Sequence, residues 1–185
     1  MHHPTTTEIN VKRFIISTLV AGIAMTAPAA SASAQGSNPF EIGGAFGASV
    51  PVGDIADGLD MGFNATFILG YKPSFSPLGF RAEAGYNQFG VTDFNESVNI
   101  AAFTGNALFE IPTGGFTPYL IGGAGLYRLG NSVDSNSSNE FGFNVGGGIS
   151  MPLSGFKVFV EARYNRVSDD TGSFGFVPIV FGAIF

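Results

Sequence analysis

From Phe40 onward the chain alternates. In residues 40–50, Phe40, Ile42, Phe46, Ala48 and Val50 take every second position between Glu41, Gly43, Ala45, Gly47 and Ser49. In 61–71, Met61, Phe63, Phe67, Leu69 and Tyr71 oppose Gly62, Asn64, Thr66 and Gly70. In 141–151, Phe141, Phe143, Val145, Ile149 and Met151 oppose Gly142, Asn144, Gly146, Gly148 and Ser150. A period of two places one set on each face of a strand. Comparable stretches run over 79–89, 98–111, 117–129, 156–167 and 174–185, separated by clusters of Pro, Gly, Ser, Asn and Asp. The pattern predicts an all-β fold, an eight-stranded antiparallel up-and-down transmembrane β-barrel. Its strand lengths suit tilted, bilayer-spanning strands.

The identity of the second face argues against the alternative, a soluble lipocalin-like barrel. Gly, Ala, Ser and Asn make a poor solvated surface, but they fit the tight interior of an eight-stranded barrel. The apolar face is therefore expected to point to lipid. An even strand count puts both ends of the domain on one side, taken as periplasmic. Segments 72–78, 112–116 and 152–155 then form short periplasmic turns, and 51–60, 90–97, 130–140 and 168–173 form the outer loops. The fifth strand carries Gly122-Gly123-Ala124-Gly125 and gives little facing signal; Arg128 suggests that its even positions point inward.

Ahead of the alternation, Lys12 and Arg13 precede an apolar run from Phe14 to about Met25, and then small residues lead to Ala32-Ser33-Ala34. This is the layout of a cleavable signal peptide over 1–34, leaving a barrel domain over 35–185. Both histidines, His2 and His3, fall in the segment removed, and the chain has no Cys or Trp. Disulfides, thiolate catalysis and Cys-ligated metals are thereby excluded. With 27 Gly, 20 Phe and only 12% charged residues, the composition fits a barrel that hides its hydrophobicity in alternation.

Charge marks two regions. The third and seventh strands share Glu-Ala-x-Tyr-Asn, and their charges fall on the face opposite Ala82, Ala84 and Tyr86 or Val158, Val160, Ala162 and Tyr164. Arginine facing lipid at mid-membrane costs roughly 2–4 kcal/mol, so these charges point inward. Strands three and seven lie on opposite walls, which predicts a lumen network of Arg81, Glu83, Glu161 and Arg163, with Glu110 able to join Arg81. Two facing carboxylates also suit acid and base chemistry. Each, however, has an arginine two residues away, which favours structural pairing.

The second region is a crown of acids in the outer loops and their rims: Asp54, Asp57, Asp60, Asp93, Asp134, Asp169 and Asp170, with Glu96 and Glu140. Facing an anionic lipid surface they would repel it unless divalent cations bridge the two. Their spacing matches no calcium-loop pattern, and no metal or cofactor is expected. A net charge of -6 argues against nucleic acid as a partner.

The signal segment, the run from Pro118 to Tyr127, the paired Glu-Ala-x-Tyr-Asn motif and the ending from Val177 to Phe185 resemble the small eight-stranded outer-membrane barrels. That family includes OmpX-like proteins and the transmembrane domain of OmpA-like proteins. The resemblance implies periplasmic chaperoning and insertion by the outer-membrane assembly machinery, which would read Val177, Ile179, Phe181 and Phe185 on the final strand. It also implies contact with outer-membrane lipid and lipopolysaccharide. Enzymatic barrels of this kind rely on histidine, so no catalytic residue carries over. Two roles stay open: a non-enzymatic structural or surface-interaction protein with a plugged lumen, and a narrow channel or OmpW-like conduit for small hydrophobic molecules.

Overall fold

Each strand has two hydrogen-bonding edges, and a sheet satisfies the outermost two only by closing on itself. A computed structural model of the chain describes residues 39–53, 56, 58–91, 97–131, 137–169 and 172–185. These form β1 (Phe40–Val52), β2 (Gly62–Tyr71), β3 (Leu78–Gly90), β4 (Ser97–Glu110), β5 (Thr117–Asn131), β6 (Ser137–Leu153), β7 (Phe156–Asp169) and β8 (Gly172–Ile184). Sequence neighbours pair antiparallel and β1 also pairs with β8, so the barrel closes in chain order. The signal segment 1–34 lies outside the described residues.

The closing seam runs to the final residue. Phe185 donates its N–H to Ile42 O at 2.8 Å, and Ile42 N–H returns a bond to Phe185 O at 3.0 Å. The Phe185 ring stacks on Phe156 with centroids 5.5 Å apart. Val177, Ile179, Phe181 and Phe185 all face outward, as their parity requires. The end of the barrel carrying Pro39 and Phe185 is called the terminal end; the other, where β1–β2, β3–β4, β5–β6 and β7–β8 connect, is the loop end.

Several ladders continue past the apolar alternation at the loop end. Ser137–Glu140 pairs with Tyr127–Gly130, and β7 and β8 stay paired up to Asp169 and Gly172. Residues 130–131, 137–140, 168–169 and 172–173, anticipated as parts of outer loops, are therefore strand. Backbone pairing does not depend on side-chain polarity, so the strands outlast the pattern that predicts them.

Every strand carries exposed apolar residues on its outward face, from Phe46 and Phe67 through Phe103 and Leu126 to Phe141, Val160 and Phe181. In β5 the facing differs from the expectation drawn from Arg128. Tyr119, Ile121 and Tyr127 are buried in the lumen, while Leu120, Leu126 and Arg128 are exposed on the outside. Arg128 lies near the loop end of its strand, beyond most of the apolar band, where an outward charge costs little. The glycine run offered nothing to oppose the wrong parity.

Register sorts the lumen into layers. Glu41, Lys72, Glu110 and Lys157 stand at the terminal end. Above them come Arg81, Glu83, Glu161 and Arg163, and then Ser49, Asn64, Asn87 and Asn165. The loop end of the lumen is apolar: Phe89, Ile100, Ala102, Tyr127, Val167 and Phe176 form one buried cluster, with Leu59, Leu129 and Phe174 packed against it.

Candidate functional site

The shared Glu-Ala-x-Tyr-Asn motif explains how the lumen acquires its charges. Strand parity sends Glu83 and Asn87 inward from β3 and Ala84 and Tyr86 outward; the same parity sends Glu161, Arg163 and Asn165 inward from β7. Because β3 and β7 are four strands apart, the two sets meet across the barrel axis. Arg81 Nη1 lies 3.0 Å from Glu161 Oε2 and 3.9 Å from Glu83 Oε1. Arg163 Nη1 lies 2.6 Å from Glu83 Oε2, and its Nε 2.7 Å from Glu161 Oε1. Two cations face two anions, so the cluster is neutral as a unit, and each carboxylate lies near both guanidiniums. All four side chains are at least nine-tenths buried.

Aromatic residues complete this layer. The Tyr119 hydroxyl donates to Glu161 Oε2 at 2.6 Å. The Arg81 guanidinium lies 5.3 Å from the Tyr119 ring centroid and 5.1 Å from that of Phe159, within cation–π range of both. Both rings need glycine opposite them. A Cβ on Gly148 would sit 2.5 Å from Tyr119 Oη, and one on Gly182 would sit 2.3 Å from Phe159 Cζ. These glycines make room for the rings that hold Arg81, and Gly146-Gly147-Gly148 is a strand segment with no phosphate-binding loop geometry.

Above the charges is an amide layer. Ser49 Oγ donates to Asn87 Oδ1 at 2.6 Å, and Asn64 Nδ2 donates to the same oxygen at 2.9 Å. Asn144 Nδ2 donates to Asn106 Oδ1 at 2.9 Å, and Tyr127 donates its hydroxyl to Asn165 Oδ1 at 3.0 Å. A cavity between the two layers, lined by Glu83, Asn87, Thr104, Tyr127, Arg163 and Asn165 among others, measures about 30 Å³. That is room for about one water molecule. On its loop side Tyr127 and Phe176 meet edge to face, and Phe176 meets Phe89 in the same way.

Glu110 is not part of this network. The β3–β4 register sets Arg81 opposite Asn106, four residues from Glu110, or about 13 Å along the strand. Glu110 instead pairs with Lys72, and Glu41 pairs with Lys157 at 2.6 Å. Burial and then the Lys157 ammonium lower the Lys72 pKa, against the raising effect of Glu41. The terminal end thus carries its own pairs, and the role of Glu41 was hidden because pairing depends on which strands become neighbours.

Of the loop acids, Asp54, Asp57, Asp93, Asp134 and Asp170 lie outside the described residues. Asp169 ends β7 opposite Gly172, and Asp60 donates its backbone N–H to Gly90 O at 2.9 Å. Among the described residues no three His, Cys, Asp or Glu side chains group as metal ligands. Alternation puts Phe159 on the inward face with Glu161 and Arg163, whereas Tyr119 and Tyr127 lie on the β5 face expected to point outward and are buried in the lumen instead. Their only signal is an aromatic set in phase with glycine on the neighbouring strand.

The model for the outer membrane protein beta-barrel domain matches residues 17–185. No curated protein matches the chain in sequence. Among solved structures, Neisserial surface protein A superposes with a TM-score of 0.66 at 16% identity, covering 81% of this chain and 98% of that one. The N-terminal β-barrel domain of Pseudomonas aeruginosa OprF gives 0.51 at 15% identity, over 80% and 98% of the two chains. Ail, the attachment invasion locus protein of Yersinia pestis, gives 0.50 at 17% identity, over 80% and 100%.

Proposed function

The chain belongs to the outer membrane protein beta-barrel domain family, and on that premise we propose that it is a non-enzymatic barrel whose lumen is closed by its own side chains and whose role is structural or surface-interactive. One observation carries this reading: a neutral network of Arg81, Glu83, Glu161 and Arg163 lies beneath an apolar cap, with space between them for about one water. A conducting path would have to break the buried ion pairs and part the rings of Phe89, Tyr127 and Phe176. Each of these groups is held by partners on other strands.

The same reading includes removal of 1–34 as a signal peptide, both ends of the barrel domain in the periplasm, and a final strand presented to chaperones and the assembly machinery. The carboxylates of the central network are structural in this view, because Glu83 and Glu161 are each held by arginine.

Planar-bilayer recording of the purified, refolded protein tests the closed lumen. The expected record is a flat baseline. A steady conductance that disappears or changes selectivity when Arg81 or Arg163 is replaced would overturn it in favour of a narrow channel or small-molecule conduit.

A further inference from the structure

The shared motif Glu-Ala-x-Tyr-Asn differs at its middle position: β3 has Gly85 where β7 has Arg163. Both positions face the lumen, because they share parity with Glu83 and Asn87 on β3 or with Glu161 and Asn165 on β7. The glycine therefore withholds a side chain from the wall that Arg163 faces. Gly85 and Arg163 both line the cavity of about 30 Å³ between the ionic and amide layers.

Glu83, in the same lining, has one oxygen to spare. Arg163 holds its Oε2 at 2.6 Å, but Oε1 lies 3.9 Å from Arg81 Nη1 and accepts no hydrogen bond, although the side chain is almost fully buried. A buried carboxylate oxygen without a donor is costly. The rest of the lining offers complementary groups. Thr66 donates its hydroxyl to Asn64 Oδ1 at 3.0 Å and keeps its own oxygen as an acceptor. Arg163 carries five N–H donors, of which its contacts with Glu83 and Glu161 take two.

A volume of this size bounded by such groups suits one water molecule. We propose that the cavity binds a single water that donates to Glu83 Oε1 and to the Thr66 hydroxyl oxygen and accepts from Arg163, tying the ionic layer to the amide layer. The walls disfavour a charged occupant of either sign, since the Arg163 guanidinium repels a cation and the Glu83 carboxylate an anion. Gly85 makes the room. A Cβ there would sit 3.3 Å from Thr66 Oγ1 and 4.0 Å from Ala102 Cβ, and both residues belong to the same lining. The site rests on the closed-lumen reading, because only a sealed lumen keeps one water apart from the bulk.

The test is crystallography of the refolded barrel at a resolution that shows ordered water, with urea unfolding of the same proteins. The wild type should show one water within hydrogen-bond distance of Glu83 Oε1. Gly85→Ala should expel it and, by stranding the carboxylate oxygen, lower the folded-to-unfolded ratio roughly tenfold. Gly85→Ser should also expel it but restore that ratio to within about threefold of the wild type, its hydroxyl donating to Glu83 two residues away on the same face. Equal losses for alanine and serine would overturn the proposal, since the position would then need space alone. Wild-type density with no water at Glu83 would overturn it directly, even if neither variant folds. An anomalous peak in the cavity after sodium is exchanged for rubidium would overturn it in favour of a cation. Steady conductance would remove the closed-lumen reading and this site with it; a flat baseline with no water at Glu83 refutes the site and leaves that reading standing.

Discussion

Replacing Arg163 with Met removes one cation from a set of two cations and two carboxylates. It deletes the contacts at 2.6 Å to Glu83 and 2.7 Å to Glu161. Arg81 remains 3.0 Å from Glu161, but its nearest approach to Glu83 is only 3.9 Å, so Glu83 loses its main partner at a site that is almost fully buried. Breaking a buried pair by removing one member costs about 3–5 kcal/mol, most of it the penalty of the charge left behind. The variant should therefore unfold at clearly lower urea concentration. Because the stranded charge is the cause, Glu83→Gln should repair part of the damage: the double variant should be more stable than Arg163→Met alone. The chain has no Trp, so unfolding is followed by far-UV circular dichroism and by heat-modifiable migration in detergent or vesicles. An unchanged midpoint for the single variant would refute the reasoning, and so would a double variant no more stable than the single.

Glu110→Gln should cost no more than about 1 kcal/mol, as befits a partly exposed pair, and its effect should add to that of Arg163→Met in a double-mutant cycle. Strong coupling between the two would return Glu110 to the central network. Gly148→Ala should push Tyr119 from its bond with Glu161 and destabilise the barrel by about 1–3 kcal/mol, whereas alanine at Gly105, where an added Cβ meets no atom within 4 Å, should stay within about 1 kcal/mol; equal effects at the two positions would show that the ring needs no glycine there.

Strand existence and facing were legible wherever large apolar residues alternated with small ones, because a one-residue slip would have turned Phe46 or Phe143 into the lumen. The inward turn of Arg81 and Arg163 followed from the cost of charge in hydrocarbon. In β5 the same argument failed, since it ignored depth: Arg128 stands where an outward charge costs little, and glycine contributes no facing. Pairing was less legible than facing. Glu110 and Arg81 lie on neighbouring strands with suitable charges, and only the register separates them. The apolar cap escaped notice for a different reason. Phe89, Ile100 and Val167 sit on faces that are polar elsewhere along the same strands, so their inward turn reads as a break in pattern until the strands are closed around them; Phe176 is legible by contrast, alternating inward with Val180 and Ile184 on a β8 face that carries no polar residue.

The partners that neutralise the lumen are far apart along the chain: Arg81 and Glu161 are separated by 80 residues and four strands. While the sheet is open, these two walls do not face each other. An unclosed sheet resting in hydrocarbon would hold Arg81 and Arg163 out of reach of part of their carboxylate set, at roughly 2–4 kcal/mol for each arginine left facing lipid. No half-inserted intermediate of this chain is therefore a comfortable resting place. Wetting of the growing sheet has to persist until β1 meets β8, and the charges then make the passage from water to membrane a single committed step.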